Sequence, residues 1–233
     1  MKNAPVAWLL VVALVAAAAG YFSYQRLAAP RSGLTQLPAS PAADKPADVA
    51  ADVPVETPTA AIPEEVPDLK LEDLAGKRQA LRAADGHTRL FNFWATWCEP
   101  CRREIPLLNA LQSDYGAEGL QVVGIAVDTR ASVQEFLKTT PMRYTLLVGE
   151  DDGFEAVQKF GMALALPFSV FADEKNRIIA MKLGELQREE AVAILANMRA
   201  LRAGATTLPA AREAINQALK TLAIERSKQS HRK

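Results

Sequence analysis

From residue 71 onwards, short apolar runs at strand spacing alternate with apolar residues at helical spacing. That alternation restricts the chain to an α/β sheet covered by helices. Residues 71–81 read as a hairpin about Ala75-Gly76, and residues 89–94 as a strand running on through Ala95, Thr96 and Trp97 to Cys98. Ile105, Leu108, Leu111 and Tyr115 then mark one face of a helix. Residues 120–127 (LQVVGIAV) form an apolar strand buried on both faces. A helix after Asp128 carries Val133, Phe136 and Leu137; a strand spans 144–148; Phe154, Val157 and Phe160 mark a short helix closed by Gly161. Residues 168–172 and 177–183 make an antiparallel hairpin about the turn 173–176, and Ala191, Ile194, Leu195, Met198 and Leu201 lie on a last helix. The order describes a mixed sheet with helices on both faces, a domain over residues 66–203.

What precedes this domain differs in kind. Residues 3–25 contain no charged side chain, and at about 1.5 Å per residue such a run reaches the roughly 30 Å hydrocarbon thickness of a bilayer. Trp8 at one end and Tyr21, Phe22 and Tyr24 at the other suit the two interfaces. Residues 1–25 are therefore expected to be a transmembrane signal-anchor, or else a signal peptide cleaved near Ala17-Ala18-Ala19. Either option exports the rest of the chain. No cysteine follows the apolar run, which excludes a lipoprotein anchor. Eight of the fourteen prolines fall between Pro30 and Pro67 among Ala, Asp, Glu and Thr. Too little apolar surface is available there to offset the entropy of ordering, so residues 26–65 read as a disordered Pro/Ala-rich linker. Beyond the domain, residues 204–233 read as a helix from Pro209 to Glu225, with Ile215, Leu219 and Leu222 at helical spacing, and then a disordered basic tail bearing Arg226 and Lys228.

Charge is balanced, 27 Lys+Arg against 27 Asp+Glu, which makes a nucleic acid partner a poor fit. The only cysteines are Cys98 and Cys101, and the only histidines His87 and His231. That scarcity excludes a disulfide-stapled scaffold, a Cys/His zinc cluster and most iron–sulfur sites. His87, after Asp85-Gly86, reads as a turn residue. The chemistry is left to Trp97-Cys98-Glu99-Pro100-Cys101, at the junction of a strand and a helix. Cysteines three apart can close a disulfide within one turn. In the reduced form, Cys98 sits where unpaired N–H groups and the helix dipole favour a thiolate, the attacking species. Cys101, one turn deeper, resolves the resulting mixed disulfide. Pro100 is accommodated because a first turn has N–H groups to spare. Arg102 stands where a c-type haem site needs His.

The segment Phe91-Asn92-Phe93-Trp94-Ala95-Thr96-Trp97-Cys98-Glu99-Pro100-Cys101-Arg102-Arg103-Glu104-Ile105-Pro106 resembles the active site of the TlpA/ResA-like membrane-anchored thioredoxins. The resemblance covers about 130 residues, from Val66 to the helix around Leu195, and implies a thioredoxin fold and thiol–disulfide oxidoreductase activity on an extracytoplasmic face. It matches Cys98 to the attacking cysteine, Cys101 to the resolving one and Pro106 to a helix-kinking proline; on chemistry alone Pro106 lacks an N–H and clashes with the carbonyl of Arg102. Glu104 matches an acid near the cysteines that accepts and returns the Cys101 proton, where a solvated helix charge is the plainer reading. Asn92 stands where cytoplasmic thioredoxins carry a buried Asp, which shifts proton handling toward Glu104. Pro167 matches a cis proline facing the cysteines. Ala165 and Phe168 depart from the Gly and Thr that relatives often carry there. Trp97, Pro100, Leu166 and Pro167 are the expected substrate-binding residues, with Leu166, Phe168 and Trp97 forming an apolar rim for an extended polypeptide. Arg102 and Arg103 sit near that rim, as attractors of acidic partners or as plain solvated charges.

The implied function is a membrane-tethered reductase of protein disulfides outside the bacterial cytoplasm, with no cofactor beyond the Cys98–Cys101 couple. An integral-membrane thiol carrier supplies its electrons, and apocytochromes c are candidate substrates. The same dithiol serves an oxidase or isomerase equally well, because such couples span about −270 to −120 mV. A copper chaperone holding Cu(I) on two thiolates is a further alternative. A peroxide-reducing enzyme is disfavoured by the Trp-Cys-x-x-Cys setting.

Overall fold

The computed structural model describes residues 63–82, 86–163 and 165–230. The expected membrane segment 1–25 lies outside the described residues, as does the linker up to residue 62. Among the described residues, no helix is long and apolar enough to cross a membrane. The chain joins the fold just before Val66: Glu65 bridges Arg177, and Ile178 N–H donates to the Glu64 carbonyl.

Seven strands form one sheet: β1 (Lys70–Asp73), β2 (Arg78–Ala80), β3 (Thr88–Trp94), β4 (Leu120–Ala126), β5 (Thr145–Val148), β6 (Phe168–Ala172) and β7 (Ile178–Leu183), in the spatial order β2-β1-β5-β4-β3-β6-β7. β3/β4 and β4/β5 are parallel and every other pair is antiparallel, as in the expected mixed sheet. Five α-helices alternate with or follow these strands among the described residues: α1 (Glu99–Tyr115), α2 (Arg130–Leu137), α3 (Asp151–Lys159), α4 (Arg188–Arg202) and α5 (Leu208–Ser230).

Strand alternation divides β3 between two cores. Phe91 and Phe93 pack with Ala156, Val157 and Phe160 of α3 on one face. Leu90 and Trp94 face the other way, onto Leu108 and Leu111 of α1, Val133 of α2 and Ile194 of α4. Phe93 stacks on Phe168 (centroids 4.2 Å apart, planes 8° apart), its register partner on β6. This pairing corrects the expected rim. Phe168 is buried in the α3-side core, because the strand residue beside Phe93 must share its face. Phe154 departs from expectation in the opposite sense: it is exposed although it keeps helical spacing with Val157. Gly124 on β4 is glycine for a packing reason: a Cβ there would meet Leu146 Cδ2 at 2.8 Å, Tyr144 Cε2 at 3.0 Å and Trp94 Nε1 at 3.2 Å.

The C-terminal helix runs five residues beyond Glu225, so the basic residues Arg226 and Lys228 are helical and not a disordered tail. Ala211 and Ile215 bury its inner face, and Arg212 donates to the Ile178 carbonyl on the edge strand β7 (2.5 Å). Arg226 donates to Glu190, a buried carboxylate at the start of α4 (2.7 Å). No Gly or Pro follows Pro209 in this helix, and the ion pair gives its last turns a tertiary contact.

Candidate active site

β3 delivers the chain to the C-terminal edge of the sheet, where Cys98 becomes the N-cap of α1 in an extended conformation (φ −85°, ψ 104°). Its Sγ accepts from the Cys101 N–H at 3.4 Å, so a sulfur does the work that a Ser or Asp oxygen does at other helix starts. Glu99 and Pro100 occupy the first two helical positions, and a disulfide joins Cys98 to Cys101 with Cα atoms 5.3 Å apart. Cys98 retains 6% exposure and Cys101 none. Cys98 lies nearer the surface and Cys101 one layer down, the asymmetry that attack and resolution require.

Asp128, at the end of β4, clamps the approach to Cys98. One carboxylate oxygen accepts from Thr96 N–H (3.0 Å) and Thr96 Oγ1 (2.6 Å), and the other from Thr129 N–H (2.8 Å). Sequence reasoning passed over this residue. The available signal was an acid placed directly after a buried parallel strand, at the sheet edge where α/β proteins build their sites.

Glu104 follows Cys101 by one turn on the same face of α1. It is 1% exposed, and its plainer reading as a solvated helix charge is wrong. Oε1 accepts from Asn92 Nδ2 at 2.7 Å, and Oε2 from the Leu186 N–H at 2.8 Å. Burial pushes the Glu104 carboxyl up to about 7, against the lowering effect of those two hydrogen bonds. Glu185 raises it a little further and Lys182 lowers it. Asn92 also donates to Ser169 Oγ (3.2 Å), while its own Oδ1, fully buried, has no partner. Asn92 thus presents Glu104 with a donor, and a half-turn of its amide would present an acceptor for the protonated acid. Tyr144 lies near enough that the charge of Glu104, together with burial, pushes its phenol upward.

The expected substrate-binding residues divide by depth. Trp97 is 65% exposed and Pro100 half-buried. Leu166 is half-buried and packs on the apolar cluster that contains both cysteines. Pro167 is buried, its bond to Leu166 is cis, and its carbonyl accepts from Gly184 N–H (2.9 Å). Trp97 and Leu166 therefore supply the apolar exposure that the rim expectation shared among three residues. Arg103 is engaged within the chain by Glu185 (3.0 and 2.8 Å) and Glu99 (3.4 Å), and Arg102 lies 6.0 Å from the Phe136 ring.

Comparison with known proteins agrees with this geometry. The AhpC/TSA family model matches residues 62–203. The chain is 31% identical over 130 residues to the thiol-disulfide oxidoreductase ResA of Bacillus thuringiensis subsp. konkukian (strain 97-27), covering 55% of this chain and 73% of that protein. It is 32% identical over 131 residues to the thioredoxin-like protein YneN of Bacillus subtilis (strain 168), covering 54% and 74%. Among solved structures, a candidate thioredoxin of Neisseria meningitidis superposes with a TM-score of 0.52 at 26% identity, over 59% of this chain and 91% of that one. A thioredoxin-like sheet with a Cys-x-x-Cys pair capping α1, and relatives that are thiol–disulfide oxidoreductases, lead to one assignment: the chain belongs to the AhpC/TSA family and is a thiol–disulfide oxidoreductase of the ResA type.

Proposed function

We propose that this oxidoreductase reduces protein disulfides while tethered by residues 1–25 to the bacterial inner membrane, with its catalytic domain on the periplasmic or outer side. The linker 26–65 spaces the domain at 66–203 from the bilayer. The observation that carries the exchange chemistry is the buried acid Glu104 beside Cys101, hydrogen-bonded by an amide that does not titrate, and the likeness to ResA supports the reductive direction. In the reduced enzyme the Cys98 thiolate attacks a substrate disulfide; one substrate sulfur leaves as a thiolate and a mixed disulfide forms. Cys101 then passes its proton to the Glu104 carboxylate and attacks Cys98, releasing the second substrate thiolate and closing the Cys98–Cys101 bond. Two electrons move from the dithiol to the substrate, whose two thiolates take up protons. A carboxyl poised at about 7 suits this exchange near neutral pH. Trp97, Pro100, Leu166 and Pro167 line the approach for an extended polypeptide, apocytochromes c awaiting haem among them. An integral-membrane thiol carrier returns the electrons.

Reduction of insulin by the full chain with dithiothreitol tests the activity. Cys98→Ala abolishes it, and Cys101→Ala accumulates mixed disulfides. Glutathione titration tests the direction: a potential near about −270 mV or below supports the reductase, and one near about −120 mV makes the protein an oxidant. Protease accessibility in sealed membranes tests the tether and its orientation.

A further inference from the structure

Glu104 is 1% exposed, so a proton accepted from Cys101 needs a path if it is to reach solvent while substrate occupies the Cys98 side. A second approach exists. A groove of about 370 Å³ opens beside α1, between Arg103, Pro106 and Leu107 on one side and residues 185–188 on the other, and Glu104 contributes to its lining. Two consecutive residues of the β7–α4 connection bond two consecutive residues of α1. Glu185 holds Arg103 through one carboxylate oxygen at 3.0 and 2.8 Å, and Leu186 N–H holds Glu104 at 2.8 Å. The connection is pinned at both ends: Gly184 N–H donates to the Pro167 carbonyl (2.9 Å) at the β7 end, while at the α4 end Leu186 is buried in the core and Gln187 N–H donates to Glu190 in the capping box. Of these contacts the Arg103–Glu185 pair lies nearest solvent, its side chains 53% and 28% exposed.

We propose that this groove is the route by which the Glu104 proton reaches solvent while substrate covers Cys98, and that the Arg103–Glu185 ion pair is its latch. The proposal rests on the reading of Glu104 as proton carrier. The proton taken from Cys101 leaves Glu104 to water in the groove as the new disulfide closes, and no further redox partner enters. Arg103 and Glu185 act as positioning residues: while paired they hold the Leu186 N–H on the carboxylate and limit hydration. The other groups facing Glu104 are Cys101 on α1, Asn92 on β3, Ser169 on β6, Lys182 on β7 and Tyr144 just before β5. None of these changes when the latch is altered.

The double variant Arg103→Met/Glu185→Gln removes one charge of each sign; Glu185 itself raises the Glu104 titration, so its loss alone moves that titration acidward, and Leu186 exchange is the readout that isolates the latch. In the full chain, carboxyl NMR of labelled glutamate follows Glu104, and amide hydrogen exchange follows Leu186. Opening the latch hydrates the carboxyl, so its titration moves acidward by about one pH unit. Leu186 exchange accelerates about fivefold, the size expected from one exposed ion pair. The pH profile of mixed-disulfide resolution shifts by the same amount. A Leu186 exchange rate unchanged from the parent overturns the latch, whatever the Glu104 titration does. Glu104→Gln separates the two ideas: a resolution rate with unaltered pH dependence in that variant overturns the proton-carrier reading, whatever Leu186 does.

Discussion

Glu104 on α1 and Glu190 on α4 are equally hidden from solvent, each 1% exposed, but their neighbours differ in charge. Glu190 receives two cations, Arg226 at 2.7 Å and Lys182 at 3.7 Å, and also accepts from the Gln187 N–H that opens its own helix. Glu104 receives only neutral donors, an amide and a backbone N–H. A buried carboxylate held by two cations ties its helix to its neighbours and serves as a structural bolt. One supplied only with dipoles is left near the balance between its two protonation states, and chemistry can use that balance.

The sharpest way to break this contrast is Glu190→Ala. It leaves Lys182 beside an apolar core and removes a capping box, for an expected loss of about 4 kcal/mol in urea unfolding, with no change in the pH profile of thiol exchange. A displaced pH profile would mean that the two carboxylates are not distinct. The next effect is linkage at Glu104. Its folded value of about 7 lies above the ordinary 4.5, so the folded state binds the proton more tightly. The stabilisation is complete below about pH 4.5 and is lost as pH rises through about 7, roughly 3 kcal/mol in all. Unfolding midpoints measured across that window should fall with pH in the parent and stay flatter in Glu104→Gln. Asn92→Asp, which sets a second carboxyl where the amide now donates, should move the profile of disulfide resolution alkaline by about one to two pH units, because two such groups share one proton. The smallest effect belongs to Arg226→Met. The guanidinium is half-exposed, Lys182 still serves Glu190, and the melting temperature should register under about 1 kcal/mol.

Much of the site was visible in the one-dimensional chain because it is local. Cys98, Pro100, Cys101 and Glu104 lie within seven consecutive residues, and the start of a helix sets their relations without help from the rest of the protein. The strand–helix order likewise named the sheet and its helices on both faces. The errors share one physical origin. Phe168 was placed at a rim because its neighbours are there, whereas its cross-strand partner Phe93 decides its face. Arg226 was left in a tail because it is polar, whereas a buried acid 36 residues earlier holds it in a helix. Asp128 and Glu185 gave little sign of their roles, since the groups they bind, Thr96 and Arg103, are 32 and 82 residues away.

The order of residues was enough to specify a nucleophile at a helix start, because capping, dipole and one-turn spacing act within a few residues of backbone. The ionisation of Glu104 was not specified in that way. It depends on how much water the packed sheet, Asn92 from β3 and Leu186 from the β7–α4 connection together exclude. Desolvation depends on everything that surrounds a charge, and those surroundings are assembled only when distant segments meet.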